Sequence, residues 1–309
     1  MINFLTGLGL AIREAWAVEQ MFTVLGQIGK RGLAATLAIF TELFAFLTTG
    51  EPLTPYGDEL DLTGYSIVFE DEFEGDEIDW SVWRSRSEGS RPIGFMSGDL
   101  MYVEDGNLHL TAQYVDGKYG EGWYSCAAVL REQYTYGYYE VRAICNDDSA
   151  FNAAFWLRSE HCYEPEYSLG GPGGAEIDIL ENLSHASGRS MSCNTIHVAG
   201  TDGPDDEGID SYHIAAFETG NNMFREYNTY GMLWTEDEYI FYLNGVETVR
   251  TSFANGVCEV PMDVILSLGL PSSTEHFAYN AFTALDKDYM ADFVIDYVRI
   301  YQLDPATAE

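Results

Sequence analysis

Beyond residue 60 the chain runs in short stretches in which apolar and polar side chains alternate, among them Leu108 to Tyr114, Tyr138 to Ile144, Tyr239 to Leu243 and Phe293 to Tyr301. A two-residue period sends alternate side chains to opposite faces of a strand, leaving one face for a core and one for water. Clusters rich in Gly, Asn and Asp separate the stretches, at Asp116 to Gly122, Gly203 to Gly208 and Asn244-Gly245. Short half-buried strands joined by tight turns predict an all-β antiparallel sandwich rather than an α/β protein. No repeat of solenoid or propeller length is evident.

The first fifty residues follow a different pattern. Two apolar stretches, Met1 to Ile12 and Gly32 to Thr49, flank a helix-compatible segment carrying Arg13, Glu14, Glu19, Lys30 and Arg31. Residues 1–50 are therefore expected to form an apolar helical extension. Lys30-Arg31 ahead of an apolar run resembles the start of an export signal or anchor, yet Glu42 sits inside that run. A spanning helix needs ~20 apolar residues, and a charge at its centre costs roughly 2.5 kcal/mol or more. An atypical export signal, a membrane-associated helical hairpin and helices docked on the sandwich all fit, with export or membrane association favoured. Residues 51–61, EPLTPYGDELD, carry Pro52, Pro55 and Gly57 and are expected to be an extended linker. The sandwich then occupies residues 62–302, followed by a tail over residues 303–309.

The run Glu176, Ile177, Asp178, Ile179, Leu180, Glu181 follows the glycine-rich stretch Gly170 to Gly174 and concentrates the chemistry. On a strand, Glu176 and Asp178 share a face while Ile177 and Ile179 enter a core. Strict alternation would bury Glu181. One extra residue, a β-bulge near Ile179 and Leu180, resets the phase and returns Glu181 to the side of the other two acids. Glu176 and Glu181 are then roughly 13 Å apart at their Cα atoms, at ~3.3 Å per residue, and their side chains can lean together. A retaining glycosidase needs carboxyl groups about 5 to 5.5 Å apart. At ~5 Å and an effective dielectric of ~20 two such charges repel by about 3 kcal/mol, or roughly 2 pKa units, so one holds a proton near neutrality. Taken alone, the same face could also be solvated surface or a seat for a hard cation.

This string resembles the active-site signature of glycoside hydrolase family 16 in its bulged, laminarinase-like form. Further matches fall in the family's order: Phe69 to Phe73 with Trp83, Asp105 to Ala112, Tyr136 to Arg142, Phe155 to Leu157, Thr195 to His197, Tyr230 to Trp234, Tyr239 to Val246 and Val294 to Tyr301. The resemblance covers about residues 61 to 302. It implies a concanavalin A-like β-jelly roll and an endo-acting retaining β-glucanase. Glu176 would be the nucleophile, Glu181 the acid/base, and Asp178 the group that tunes the nucleophile. Trp156 would be a sugar-stacking platform, Glu140 and Arg142 would line the donor side of the cleft, and His197 would lie beside the acid/base. It also implies a structural calcium ion held by Glu70 or Asp71, Gly106 and Asp296, with no cofactor required for the chemistry. A transglycosylase of the same family shares the covalent intermediate, and a lectin-like module would share the aromatic platform without needing paired acids.

Composition narrows the substrate. With 309 residues, 46% hydrophobic and 14% aromatic, the chain can fill a sizeable core. Fifty acidic against 15 basic side chains give a formal charge of −35. Such a surface repels nucleic acid and other polyanions, so a neutral polysaccharide, a β-1,3- or mixed β-1,3/1,4-glucan, is expected over sulfated galactans or uronic polymers. An extracellular or cell-surface location follows from such a substrate. The five cysteines have no metal-type spacing and do not suggest a disulfide framework, leaving room for one bridge.

Overall fold

The computed structural model describes residues 53–148, 150–182, 191–200, 208–274 and 278–304. The extension expected over residues 1–50 lies outside these residues, as does the tail from residue 305. Among the described residues there are seventeen strands: β1 Tyr65–Asp71, β2 Trp83–Ser85, β3 Gly89–Ser90, β4 Phe95–Met96, β5 Met101–Glu104, β6 Asn107–Gly117, β7 Gly120–Leu130, β8 Gly137–Ile144, β9 Asn152–Arg158, β10 Glu176–Glu181, β11 Met191–Ala199, β12 Ile209–Glu218, β13 Asn228–Trp234, β14 Tyr239–Leu243, β15 Val246–Thr251, β16 Asp263–Gly269 and β17 Met290–Leu303. Among the described residues helix is confined to single turns, such as Pro165–Ser168 and Tyr279–Thr283. The sandwich expected from the alternation is present, and it is a jelly roll.

One sheet is antiparallel throughout, in the order β2, β7, β16, β9, β10, β11, β12. The other runs β15, β14, β13, β8, β17, with β1 and β6 end to end along the far edge of β17. β7 belongs to both. Its first half pairs with β6 from Gly120 to Tyr124, and its second half pairs with β16 and β2 from Cys126 onward.

Alternation decides which side chains meet between the sheets. Phe155, Leu157, Ile177, Leu180, Ile196, Val264 and Leu266 come from the first sheet, and Leu108, Tyr139, Val141, Phe241, Phe293 and Ile300 from the second. All are at most 1% exposed, so they form a continuous dry core. The first sheet therefore turns its other side chains, including Trp156 and the acids of β10, to its outer, concave face.

The segment expected to be an extended linker is fastened to the sandwich. Leu53 N–H bonds the Ala216 carbonyl at 3.0 Å, Gly57 N–H the Glu247 carbonyl at 2.8 Å, and Leu60 N–H the Gly245 carbonyl at 2.8 Å. Proline keeps this segment out of a helix, and the N–H groups of Leu53, Gly57 and Leu60 find acceptors on β12 and around the β14–β15 turn. All five cysteines are free. Among the described residues no helix is long and apolar enough to cross a membrane.

Candidate active site

The β10 register breaks where the sequence requires. Against β9, Asp178 faces Trp156 but Leu180 faces Phe155, so Ile179 is the extra residue. Ile177, Ile179 and Leu180 all lie in the core, and Glu176, Asp178 and Glu181 are left on the concave face. A bulge removes a carbonyl from the ladder, and a buried side chain replaces the lost partner: Asn194 Nδ2 donates to the Ile179 carbonyl.

The two glutamates lie in different surroundings. Arg158 Nε is 3.8 Å from Glu176 Oε2, and the Tyr163 hydroxyl also donates to Glu176. Burial, followed by the Glu176 charge, pushes the Tyr163 phenol well up, so it remains a donor. Both neighbours can hold and orient the Glu176 carboxyl group. Tyr163 arrives on the loop that ends in the glycine run. Gly173 lets that loop fold back, since a Cβ there would land on the Tyr167 carbonyl oxygen.

Among the described residues no cation lies within hydrogen-bonding range of Glu181. Asn152 Nδ2 donates to its Oε1 at 3.2 Å and Thr195 Oγ1 to its Oε2 at 3.3 Å. Burial, and then the neighbouring Asp178 carboxyl, push Glu181 up to about 8. Glu181 therefore carries its proton at neutral pH. The sequence reading traced this proton to repulsion between the two glutamates, but desolvation is the larger cause. The Glu176 charge acts instead on Asp178, which is 5% exposed and is raised well above the usual carboxylate range, by burial first and Glu176 second.

His197 makes a direct contact with Asp178 and also acts through its charge on Glu181. Its Nε2 is 3.4 Å from Asp178 Oδ2, and its Nδ1 meets Ser211 Oγ at 2.6 Å. The antiparallel register places His197 opposite Glu176 and gives Thr195, two residues earlier, the contact with Glu181. Trp156 lies on the concave face as expected, with Nε1 donating to Ser267 Oγ at 3.1 Å. The Arg86 guanidinium lies over its ring at 4.6 Å.

Glu140 and Arg142 are elsewhere. They do share a face of β8, but β8 belongs to the second sheet and its core face carries Tyr139, Val141 and Ala143. Glu140 and Arg142 therefore lie on the opposite side of the sandwich from Glu176. Glu140 accepts from Tyr138 and Tyr297, at 2.8 and 2.9 Å, and Arg142 pairs with Asp296. The residues expected to hold calcium lie along β17, where Asp71 pairs opposite Val298, and Leu108, two residues past Gly106, pairs opposite Ile295. Asp71 accepts from Trp83 Nε1 and Phe73 N–H, Asp296 is engaged by Arg142, and Gly106 belongs to the β5–β6 turn. Among the described residues, the His, Cys, Asp and Glu side chains close enough to share a cation are Glu176, Asp178 and His197, with ligand atoms within 4.8 Å of one another.

Asn152, Arg158, Tyr163 and Thr195 were not anticipated from the sequence. Stepping by two from Trp156 reaches Arg158 in one direction and Asn152 in the other, and stepping by two from His197 reaches Thr195, so a period-two signal for these three was present. Tyr163 lies on an irregular loop with no such signal.

Residues 67–303 match the family model for the glycoside hydrolase family 16 domain of β-porphyranases A–D. Curated relatives include glucan endo-1,3-β-glucosidase A1 of Niallia circulans, 22% identical over 83% of this chain and 40% of that protein. Another is β-porphyranase E of Zobellia galactanivorans, 25% identical over 77% of this chain and 87% of that protein. This chain thus spans less than half the length of the first of these relatives. Among solved structures, the laminarinase catalytic domain of Thermotoga maritima superposes with a TM-score of 0.58 at 21% identity, covering 77% of this chain and 98% of that one. That likeness is one of fold.

Proposed function

Since the chain belongs to glycoside hydrolase family 16, we propose that it cleaves internal β-glycosidic bonds of a polysaccharide by double displacement, with retention at the anomeric carbon. The supporting observation is the bulge at Ile179, which gathers three acids on one face and leaves them in opposed environments. Ionised Glu176 attacks the anomeric carbon, the glycosidic C–O bond breaks, and the leaving oxygen takes the proton of Glu181. In the second step Glu181, now a buried carboxylate and hence a strong base, takes a proton from water. That water attacks the same carbon, and the ester bond to Glu176 breaks. Asp178, whose ionisation is opposed by burial and by Glu176, lies beside the nucleophile, and His197 and Ser211 fix its position. Trp156 offers an aromatic face to the sugar next to the cleaved bond.

The substrate we favour is a neutral β-1,3- or mixed β-1,3/1,4-glucan, on the grounds of the −35 charge and the glucanases among the relatives. A galactan bearing anionic groups is the second reading. It is supported by the porphyranase family model and by Arg86 and Arg158 lying near Trp156 and Glu176 in an otherwise acidic chain. Such substrates lie outside the cell, and residues 1–50 are proposed as an export or attachment segment. Reducing-end release from laminarin, lichenan, agarose, porphyran, carrageenan and xyloglucan separates these readings. Release from the glucans alone supports the first, release from porphyran or carrageenan alone replaces it with the second, and release from none refutes the enzymatic proposal. Glu176→Gln should abolish release while leaving binding nearly intact, and undiminished release would refute the assigned nucleophile.

A further inference from the structure

Arg158 closes β9, and the register sets it opposite Glu176 on β10 and Asp263 on β16. On the β16 side Asp263 already accepts from Arg84 Nη2 and Gln133 Nε2, at 2.9 Å each. On the β10 side the arginine meets Glu176. A guanidinium Nε carries a single hydrogen. That of Arg158 goes to sulfur: Nε donates to Cys162 Sγ at 3.1 Å, while Glu176 Oε2, at 3.8 Å, is beyond hydrogen-bonding distance. Cys162 is fully buried, and burial pushes its thiol up, so the sulfur stays a neutral acceptor. The next residue, Tyr163, lies with its ring beneath the same guanidinium at 5.1 Å and gives its hydroxyl to Glu176. Two consecutive side chains thus engage both members of the ion pair.

The loop is built to seat that thiol. At its base Ser159 N–H bonds the Ala175 carbonyl and Ala175 N–H bonds Ser159 Oγ, at 3.0 Å each. Gly174 lets the returning limb pass, since a Cβ there would lie 2.6 Å from Ser159 Oγ and 3.3 Å from the Cys162 Cα. The place of the sulfur therefore follows from the base of the loop.

We infer that Cys162 is a positioning residue for the nucleophile: its sulfur takes the single Nε hydrogen of Arg158 and so keeps the cation beside Glu176 without a direct bond to it. The neutral Tyr163 hydroxyl orients the carboxyl group. A charge-assisted bond from arginine is about twice as strong as a neutral one and would hold the negative charge on the attacking group. That charge is lost as the ester to the anomeric carbon forms, so such a bond favours the resting state over the transition state and slows the attack. With no acceptor at position 162, the freed hydrogen turns to Glu176 Oε2. The inference rests on the glycosidase reading.

The test compares Cys162→Ala, which removes the acceptor, with Cys162→Ser, which keeps one, on whichever polysaccharide the parent enzyme cleaves. Cys162→Ala should lower kcat about tenfold with KM within about twofold of parent, and Cys162→Ser should restore most of the loss. In an Arg158→Lys background, where the Nε hydrogen is gone, the alanine change should have no further effect on kcat. Parent-like kcat in Cys162→Ala, a loss carried by KM alone, a serine variant as slow as the alanine one, or an equal loss in the Arg158→Lys background overturns the assignment. The Nε–H proton resonance of Arg158, assigned by its absence from Arg158→Lys, reads the same bond without turnover. It should move downfield in Cys162→Ala and move back in Cys162→Ala/Glu176→Gln, and an unmoved resonance also overturns the assignment. If the parent cleaves nothing, the glycosidase reading has failed on its own, and the resonance still decides whether the sulfur holds the arginine off Glu176.

Discussion

Glutamine in place of Glu181 keeps the side chain's shape and removes its proton, so the change separates catalysis from stability. Hydrolysis should fall by about 10² to 10⁴, the usual contribution of a positioned acid. Stability should move the other way. The folded-state pKa of about 8 lies above the ordinary value of 4.5 for a glutamate, so Glu181's contribution is fully present below about pH 4.5 and is lost as pH rises through about 8. Urea unfolding at pH 7 should therefore show Glu181→Gln more stable than parent by roughly 3 kcal/mol, with no gain at pH 4. The same proton sets the alkaline limb of the kcat/KM profile, which should turn down near pH 8. Across the site, Tyr163→Phe removes one donor from Glu176 and should slow release by about tenfold and also lower the urea midpoint, since a hydrogen bond to a charged group contributes about 1.5–3 kcal/mol to stability.

At the scale of elements, the bulge sets the phase of the strand. Inserting one alanine between Leu180 and Glu181 puts the alanine on the concave face and turns Glu181 into the core, and should abolish both activity and cooperative unfolding by circular dichroism. Leu180→Ala leaves the register intact. It should cost about 2–5 kcal/mol while hydrolysis survives at low temperature. This strand was legible in the sequence because its alternation fails at one place only, and one inserted residue repairs it. Glu140 and Arg142 show where such reading stops. The run Tyr138 to Ile144 reveals which residues share a face, but periodicity is silent on which of two sheets a strand joins, and β8 joined the other one. The contacts around Glu181 depend on long-range register in the same way. Asn152 is 29 residues away in sequence, and its role appears only once β9 lies beside β10. The linker's docking likewise depends on acceptors on β12 and near the β14–β15 turn.

For the whole molecule, the −35 charge is a load the fold carries everywhere. Raising salt from about 10 mM to 150 mM shortens the screening length from about 30 Å to about 8 Å. The Tm should therefore rise with sodium chloride, whereas a chain whose surface charges were mostly paired would show little change or a fall. The sulfur atoms offer another view of the molecule. Cys126, Cys145, Cys162 and Cys258 are buried and unpaired, and Cys193 is half-buried. Without a cross-link to hold it, the sandwich stands equally well in reducing and oxidising surroundings. Its own thiols become a stopwatch, because a sulfhydryl reagent can reach the sealed four only as fast as the barrel of strands comes apart.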